Sequence, residues 1–313
     1  MGLDPPGRPN VTAAGPAPPC HPLPMTQWDD RRRLTAAPFE VPGHDLVGIR
    51  AANPGLFTLS GTNSWIVGRE PAWLVDPGPG LDEHVDALIT ELDHRGGLGG
   101  IALTHHHADH TDAVPAIRAR YPDAPVAAAR TDPPREGEDD DVDVALADGG
   151  MFGPLEAVAT PGHVPDHLAY VAGSVVFTGD AVLGEGSVFI SPDPGALAAY
   201  LDALARLRER PLTVLCPGHG SPVFNPDAKL DQYISHRLDR ERRLVAALDD
   251  GRRSVTDLLD HVWDDVPAGL RQAATVTLAA HLDKLADEKR LPAGVERPAF
   301  RLGAGHHTDS RHP

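Results

Sequence analysis

The sequence predicts an α/β protein built from two mixed sheets packed face to face, with helices on the outside. Three observations carry that expectation. Short apolar stretches of strand length follow one another through the first half and lead into a helical pattern, and the second half repeats the order. The 313 residues leave room for one large domain and a small one, at roughly 150 residues per domain. An apolar fraction of 41% supports a buried core, yet no apolar run approaches the ~18 residues that span a bilayer.

The segment "MGLDPPGRPNVTAAGPAPPCHPLP" has no apolar centre of a secretory signal, and its prolines would break one. Residues 1–34 are therefore expected to be a disordered leader, with Met25 as an alternative start and the cytoplasm as the default location. A catalytic domain is expected over 35–225. It opens with "LVGIRA" (46–51), "LFTLS" (56–60), "SWIVG" (64–68) and "AWLVD" (72–76), each bounded by Gly, Pro or Asn and rich in strand formers. "LDEHVDALITELDHRG" (81–96) then spaces Val85, Leu88, Ile89 and Leu92 at helical intervals, and Gly96 and Gly97 end it. "GIALT" (100–104) is a strand that runs into a block of histidines, and Asp109 stands where a helix N-cap would. The acidic run at 136–144 is expected to be a solvated loop.

In the second half "LEAVAT" (155–160), "LAYVAG" (168–173) and "SVVFTGD" (174–180) are strands. "PGALAAYLDALARLRER" (194–210) is a helix, and "LTVLCPGHG" (212–220) is a strand with a glycine-rich exit. From about Asp227 the pattern turns helical. Three helices and then "LPAGVERPAFRL" suggest a small winged-helix-like domain over 226–302, followed by a disordered tail, 303–313.

Two cysteines, Cys20 and Cys216, are too few for a disulfide framework, and Cys216 is expected to be a small buried hydrophobe. The net charge is −17, with the acid excess concentrated in residues 1–228. Such a field repels phosphate backbones and counts against a general nucleic-acid binder.

Four motifs follow strand ends: "THHHADH" (104–110), "TPGHVPDH" (160–167), "FTGDA" (177–181) and "CPGHG" (216–220), with Asp76 closing an earlier strand. A divalent ion such as zinc takes about four nitrogen, oxygen or sulfur ligands, and a catalytic site leaves one position open. His105 and His107, two apart on a loop, can face one ion, while Asp109 and His110 turn toward a second point. His163 and His219 each follow a Pro-Gly turn, and the two oxygens of Asp180 could bridge two ions about 3.5–4 Å apart. Seven ligands for two ions make a dinuclear hydrolytic site. His106 is expected to be a spacer, and His167 either a core residue or an outer partner to a ligand.

This order of motifs resembles the metallo-β-lactamase superfamily over residues 45–224. The resemblance implies an αβ/βα four-layer sandwich with its metal site at the edge of the sheets. It also implies His105, His107 and His163 on one ion, Asp109, His110 and His219 on the other, and Asp180 between them, with Asp76 orienting the loop. True lactamases of this fold commonly carry cysteine at the place of Asp180, which turns the expectation away from antibiotic hydrolysis. "GTNSWIVG" (61–68), "TPGHVPDHL" (160–168) and "YISHRLDRERRLVAAL" (233–248) are similar to the β-lactamase-like protein 2 group, some members of which are single-strand endoribonucleases and whose relatives hydrolyse thioesters.

The expectation is a hydrolase with two zinc ions (manganese or iron as alternatives) and a metal-bridging hydroxide. Asp109 would serve as ligand and proton shuttle, and Asp180 as bridge. A small ester or thioester is the first substrate class and single-stranded RNA the second; a non-enzymatic, metal-bearing DNA-binding protein is a remote third. The third C-terminal helix carries Asp283, Asp287 and Glu288, which favours packing, pocket shaping or homodimer formation over nucleic-acid contact. Arg237, Arg240, Arg242 and Arg243 form a basic stripe that could hold an acidic substrate or simply be a charged helix face.

Overall fold

The computed structural model describes residues 37–129 and 142–299. The expected leader, the tail and most of the acidic run at 136–144 lie outside them. Two mixed sheets stack with helices on both outer faces, as the order of patterns requires. The first sheet has seven strands in sequence order: β1 (Phe39–Glu40), β2 (Leu46–Arg50), β3 (Asn63–Val67), β4 (Ala72–Val75), β5 (Leu98–Ala102), β6 (Val126–Ala129) and β7 (Val144–Leu146). Pairing is antiparallel from β1 to β4 and parallel from β4 to β7. The parallel half is fed by the helices α1 (Asp82–His94), α2 (Ala108–Thr111) and α3 (Val114–Arg120).

The second sheet runs in the order β12 (Val214–Pro217), β11 (Val175–Gly179), β10 (Leu168–Ala172), β9 (Leu155–Ala159) and β8 (Met151–Phe152). Only its β11–β12 pair is parallel, joined by the crossover helix α4 (Ala196–Arg208). Three helices follow: α5 (Pro226–Asp249), α6 (Val255–Val262) and α7 (Arg271–Asp287). Among the described residues no strand follows α7. No helix among them is long and apolar enough to cross a membrane.

Side-chain alternation along the strands splits the core into layers. Trp65, Val75 and Ala102 of the first sheet meet Tyr170, Phe177 and Cys216 of the second in the space between the sheets. Ile66, Leu74 and Ile101 point the other way, onto Leu88, Leu92 and Ile117 of α1 and α3. Val158, Val176 and Leu215 pack outward on Tyr200 and Leu204 of α4, Tyr233 of α5 and Ala280 of α7. Strands buried on both faces explain why they stand out as continuous apolar runs rather than alternating ones.

The expected strand at 56–60 is instead a turn, with a single bridge between Gly55 and Leu59. Leu59 has φ 55°, which breaks any extended path. Asp109 lies in the first turn of α2 rather than at its cap, a place taken by His107. β6 carries only Val126 among alanines, so composition does not mark it as a strand. The expected basic stripe is mostly absorbed into the fold. Arg237 and Arg240 are buried, Arg243 pairs with Asp264, and Arg242 pairs with Asp239.

The C-terminal helices close around Leu244, Leu258, Leu259, Leu278 and Leu282. His281 lies beside them, fully buried against Trp263 at 5.8 Å between ring centroids. Neither of its ring nitrogens has a hydrogen-bond partner among the described residues. Burial, reinforced by nearby cations, pushes its pKa down from 6.5 to about 3. The unfolded chain takes up this proton first, so stability is fully present above pH 6.5 and declines as pH falls toward 3. His281→Leu should therefore flatten the decline of thermal stability between pH 7.5 and 5. Melting curves of the two proteins across that range would show an unchanged slope if the histidine were not buried neutral.

Candidate metal centre

Every motif residue arrives at one edge of the sandwich, because the parallel strands β4, β5, β11 and β12 all end there. β4 delivers Asp76, β5 delivers His105 to His110, β9 leads to His163, β11 to Asp180 and β12 to His219. The carboxyl ends of parallel strands are the usual place for a ligand site in such sheets.

The side chains gather into two adjoining groups. His105, His107, His163 and Asp180 offer donor atoms all within 4.8 Å of one another, and so do Asp109, His110 and His219. In the first group His107 Nδ1 lies 2.9 Å from His105 Nε2 and 3.1 Å from His163 Nε2. In the second, His219 Nε2 lies 3.3 Å from Asp109 Oδ2. Asp180 stands between them. Its Oδ2 is 3.7 Å from His163 Nε2, while its Oδ1 is 3.3 Å from His219 Nε2 and 3.5 Å from His110 Nε2.

The outer hydrogen bonds decide which nitrogen faces inward. Asp76, buried, accepts from Thr104 N–H through Oδ1 at 2.7 Å, and through Oδ2 from Thr104 Oγ at 2.7 Å and His110 Nδ1 at 2.9 Å. With its own proton committed to Asp76, the Thr104 oxygen accepts from His105 Nδ1 at 3.0 Å. The carbonyls of Phe189 and Gly61 accept from Nδ1 of His163 and His219, each at 3.4 Å. Four imidazoles thus carry a proton on Nδ1 and turn Nε2 toward the centre, the atom that a ligating histidine so held would offer. His167 holds the backbone of Asp180. It is buried, Thr160 Oγ lies 2.7 Å from its Nδ1, and its Nε2 accepts from the Asp180 N–H at 3.1 Å. His106 points outward and meets Asp166 at 2.8 Å.

Burial holds the pKa of His105 well below its ordinary value, lowers His163, and pushes His107 down to about 4, so the first group presents neutral imidazoles. In the second, burial opposes charge on His110 and His219, but Asp180 and its neighbouring carboxylates outweigh it. His110 stays well above its ordinary value and His219 rises to about 9. Burial would likewise raise Asp180, yet His219 and His110 hold it well below the carboxylate range.

The donor set fits divalent cations. Lone pairs of three neutral imidazoles converge, which is repulsive unless a cation sits among them. His110 Nε2 and Asp180 Oδ1 are buried with no hydrogen-bond partner among the described residues. The second group balances its carboxylates with imidazolium protons, which an incoming cation would displace.

Three contributors carried no chemical signal in the sequence. Thr62 Oγ donates to Asp109 Oδ2 at 3.1 Å and accepts from Asn53 Nδ2 at 3.0 Å. Asn63 Nδ2 clamps the loop bearing His219 through the carbonyls of Pro217 and Gly220, at 3.0 and 2.8 Å. Thr62 and Asn63 sit in "GTNSW", which stood out only by family likeness. Asp76→Asn would set an amide N–H against the donors of Thr104 or His110. It should weaken metal binding by about 10–100-fold, as loss of an outer partner does, measured by competition with a chelator. Retention of wild-type affinity would show that Asp76 only packs.

The profile of the metallo-beta-lactamase superfamily matches residues 57–219. The chain is 32% identical over 280 residues to an atrochrysone carboxyl ACP thioesterase of Aspergillus chevalieri, covering 83% of this chain and 84% of that one. It is 31% identical over 290 residues to a beta-lactamase-like protein 2 homolog of Caenorhabditis elegans, covering 88% and 92%. A metallo-beta-lactamase family protein from Thermus thermophilus superposes with a TM-score of 0.61 at 24% identity, over 80% of this chain and 95% of that one. A beta-lactamase domain protein from Burkholderia ambifaria gives 0.67 at 20% identity, over 83% and 93%. These two structures share the fold.

Proposed function

Because this chain belongs to the metallo-beta-lactamase superfamily, we propose that its centre holds two divalent ions and hydrolyses a small ester or thioester. Zinc is the first choice of metal, with manganese or iron as alternatives. In this reading His105, His107 and His163 hold one ion and Asp109, His110 and His219 the other. The observation that carries it is the Asp180 carboxylate, which turns one oxygen to each group. A bound pair of ions would supply an activated water and polarisation of the scissile acyl oxygen.

The chain's own residues do the rest. Asp76 and the Nδ1 acceptors hold His105, His110, His163 and His219 with Nε2 facing the centre before any ion arrives, so little reorganisation remains. Asp109 is the more exposed of the two site carboxylates, at 29% against 12% for Asp180. With Thr62 holding its Oδ2, it is the group placed to pass a proton between the centre and solvent.

The substrate class rests on three supports. One relative is named as a thioesterase acting on an acyl carrier protein substrate. An apolar edge also stands beside the centre: the Phe189 ring is 4.5 Å from His163, and the exposed Phe57 packs 6.4 Å from Phe189. Such an edge suits an acyl group with an apolar body. The acidic character of the chain disfavours polyanions. A second reading, single-strand endoribonuclease, rests on the likeness to the Caenorhabditis elegans protein and its group. The arginines of α5 weaken that reading, since Arg237 and Arg240 are buried against carbonyls and Arg242 and Arg243 are paired with aspartates.

Elemental analysis of the reconstituted protein should find close to two ions per chain, and Asp180→Ala should lower thioester turnover by at least about a hundredfold. Full activity in that variant would sink the dinuclear reading. An acyl thioester and single-stranded RNA assayed from about 50 to 200 mM salt separate the substrates. RNA cleavage at low substrate concentration would fall steeply with salt, and thioester cleavage would change little.

A further inference from the structure

The segment from Leu183 to Ser191 links β11 to α4 and carries Phe189, whose carbonyl fixes the tautomer of His163. Within the segment Glu185 to Ser187 are exposed, and Gly184 N–H donates to His219 O at 2.8 Å. It is held as well by the C-terminal helices, whose role the metal chemistry leaves open. Lys229 Nζ on α5 donates to Gly184 O at 3.0 Å, and Tyr233 Oη accepts from Leu183 N–H at 3.0 Å. One turn further along α5, the buried Arg237 donates through Nη2 to Ser187 Oγ at 2.8 Å and to Val188 O. From α7, the buried Thr277 accepts from Ile190 N–H through Oγ1 at 3.3 Å. Arg237 and Thr277 therefore grip the residues on either side of Phe189. On the far side Ser191 N–H donates to Gly162 O at 2.7 Å, beside His163 itself. The Phe189 ring completes the contact, edge-on to His163 with centroids 4.5 Å apart.

We propose that Arg237, with Thr277, is a positioning residue of the metal centre. The C-terminal helices act on His163 through the Phe189 carbonyl and so set how tightly the His105–His107–His163 group holds its ion. This inference rests on the metal reading given above. It assigns the helices a task inside the active site, where the helical pattern alone suggested a separate module. The chemistry is that of an outer partner one bond further removed. A carbonyl held in place keeps the imidazole proton on Nδ1 and the ring in the coordinating plane. A carbonyl free to wander lets the ring turn and the other tautomer form.

The test uses the full-length protein, stripped of metal and titrated with Co²⁺ or Zn²⁺ against a competing chelator. Arg237→Met keeps the aliphatic stem and removes the grip. Thr277→Val removes the acceptor for Ile190 N–H, along with a donation to Ala273 O within α7, and reads the same contact should the first variant fail to fold. Leu259→Ala, in the core of the C-terminal helices away from the segment, is the control. It should lower the melting temperature and leave metal affinity as in the wild type. For Arg237→Met one of the two ions should bind about tenfold more weakly or worse, with a changed visible spectrum for the Co²⁺ form and an unchanged total of two ions at saturation. Thr277→Val should shift affinity in the same direction by less. Wild-type affinity and spectrum in both variants overturn the inference, and so does an equal loss of affinity in Leu259→Ala, which would mark a general effect of destabilisation. A wild-type protein that takes up no ion overturns the functional reading along with it. Two ions in the wild type with no change in the variants overturn this inference alone.

Discussion

Two carboxylates and five imidazoles crowd one edge of this sandwich, and the burial of Asp180 among them is the constraint on which the rest depends. An isolated ionised carboxylate removed from water would be too costly to keep. Here it is balanced by the protons on His110 and His219, or by cations in their place. That balance holds only if the imidazoles stand in fixed orientations, and four of the five depend on acceptors brought in by three loops. Asp76 serves His110 directly and His105 through Thr104, Gly61 serves His219, and Phe189 serves His163. The sheets, helices and turns of the catalytic part can be understood as the means of delivering those acceptors.

Much of this was legible in the sequence, for reasons that differ by element. The strands β2 to β5 and β9 to β12 are buried on both faces, so their apolar runs stood out against Gly and Pro boundaries. The seven motif residues were legible because histidines and aspartates at strand ends, in a fixed order, have few other uses. The turn at 56–60 reads as a strand because Leu56, Phe57 and Leu59 are apolar, and composition cannot show the left-handed backbone of Leu59. β6 is hidden for the opposite reason, since alanines give no strand signal.

The outer partners were the least legible. Thr62, Asn53 and the carbonyls of Gly61 and Phe189 act through backbone position or a single polar group, and residue type alone gives no hint of either. The arginines of α5 show a related difficulty. As a sequence stripe they allow either a docking surface for acids or a plain charged helix face. In the fold Arg237 and Arg240 turn inward to carbonyls of Val188 and Val262. A charge pattern reports what a side chain can do, while burial decides which partner it meets.

The seven motif residues come from both sheets: His105, His107, Asp109 and His110 follow the first, and His163, Asp180 and His219 follow the second. Each ion, once bound, would therefore act as a rivet across the sandwich as well as a reagent. Binding at a thousand times the dissociation constant adds about 4 kcal/mol to the folded state, a large share of a typical domain's stability. In a cell short of metal, such a protein would lose persistence along with activity. The supply of ions would then govern how much of it survives to work.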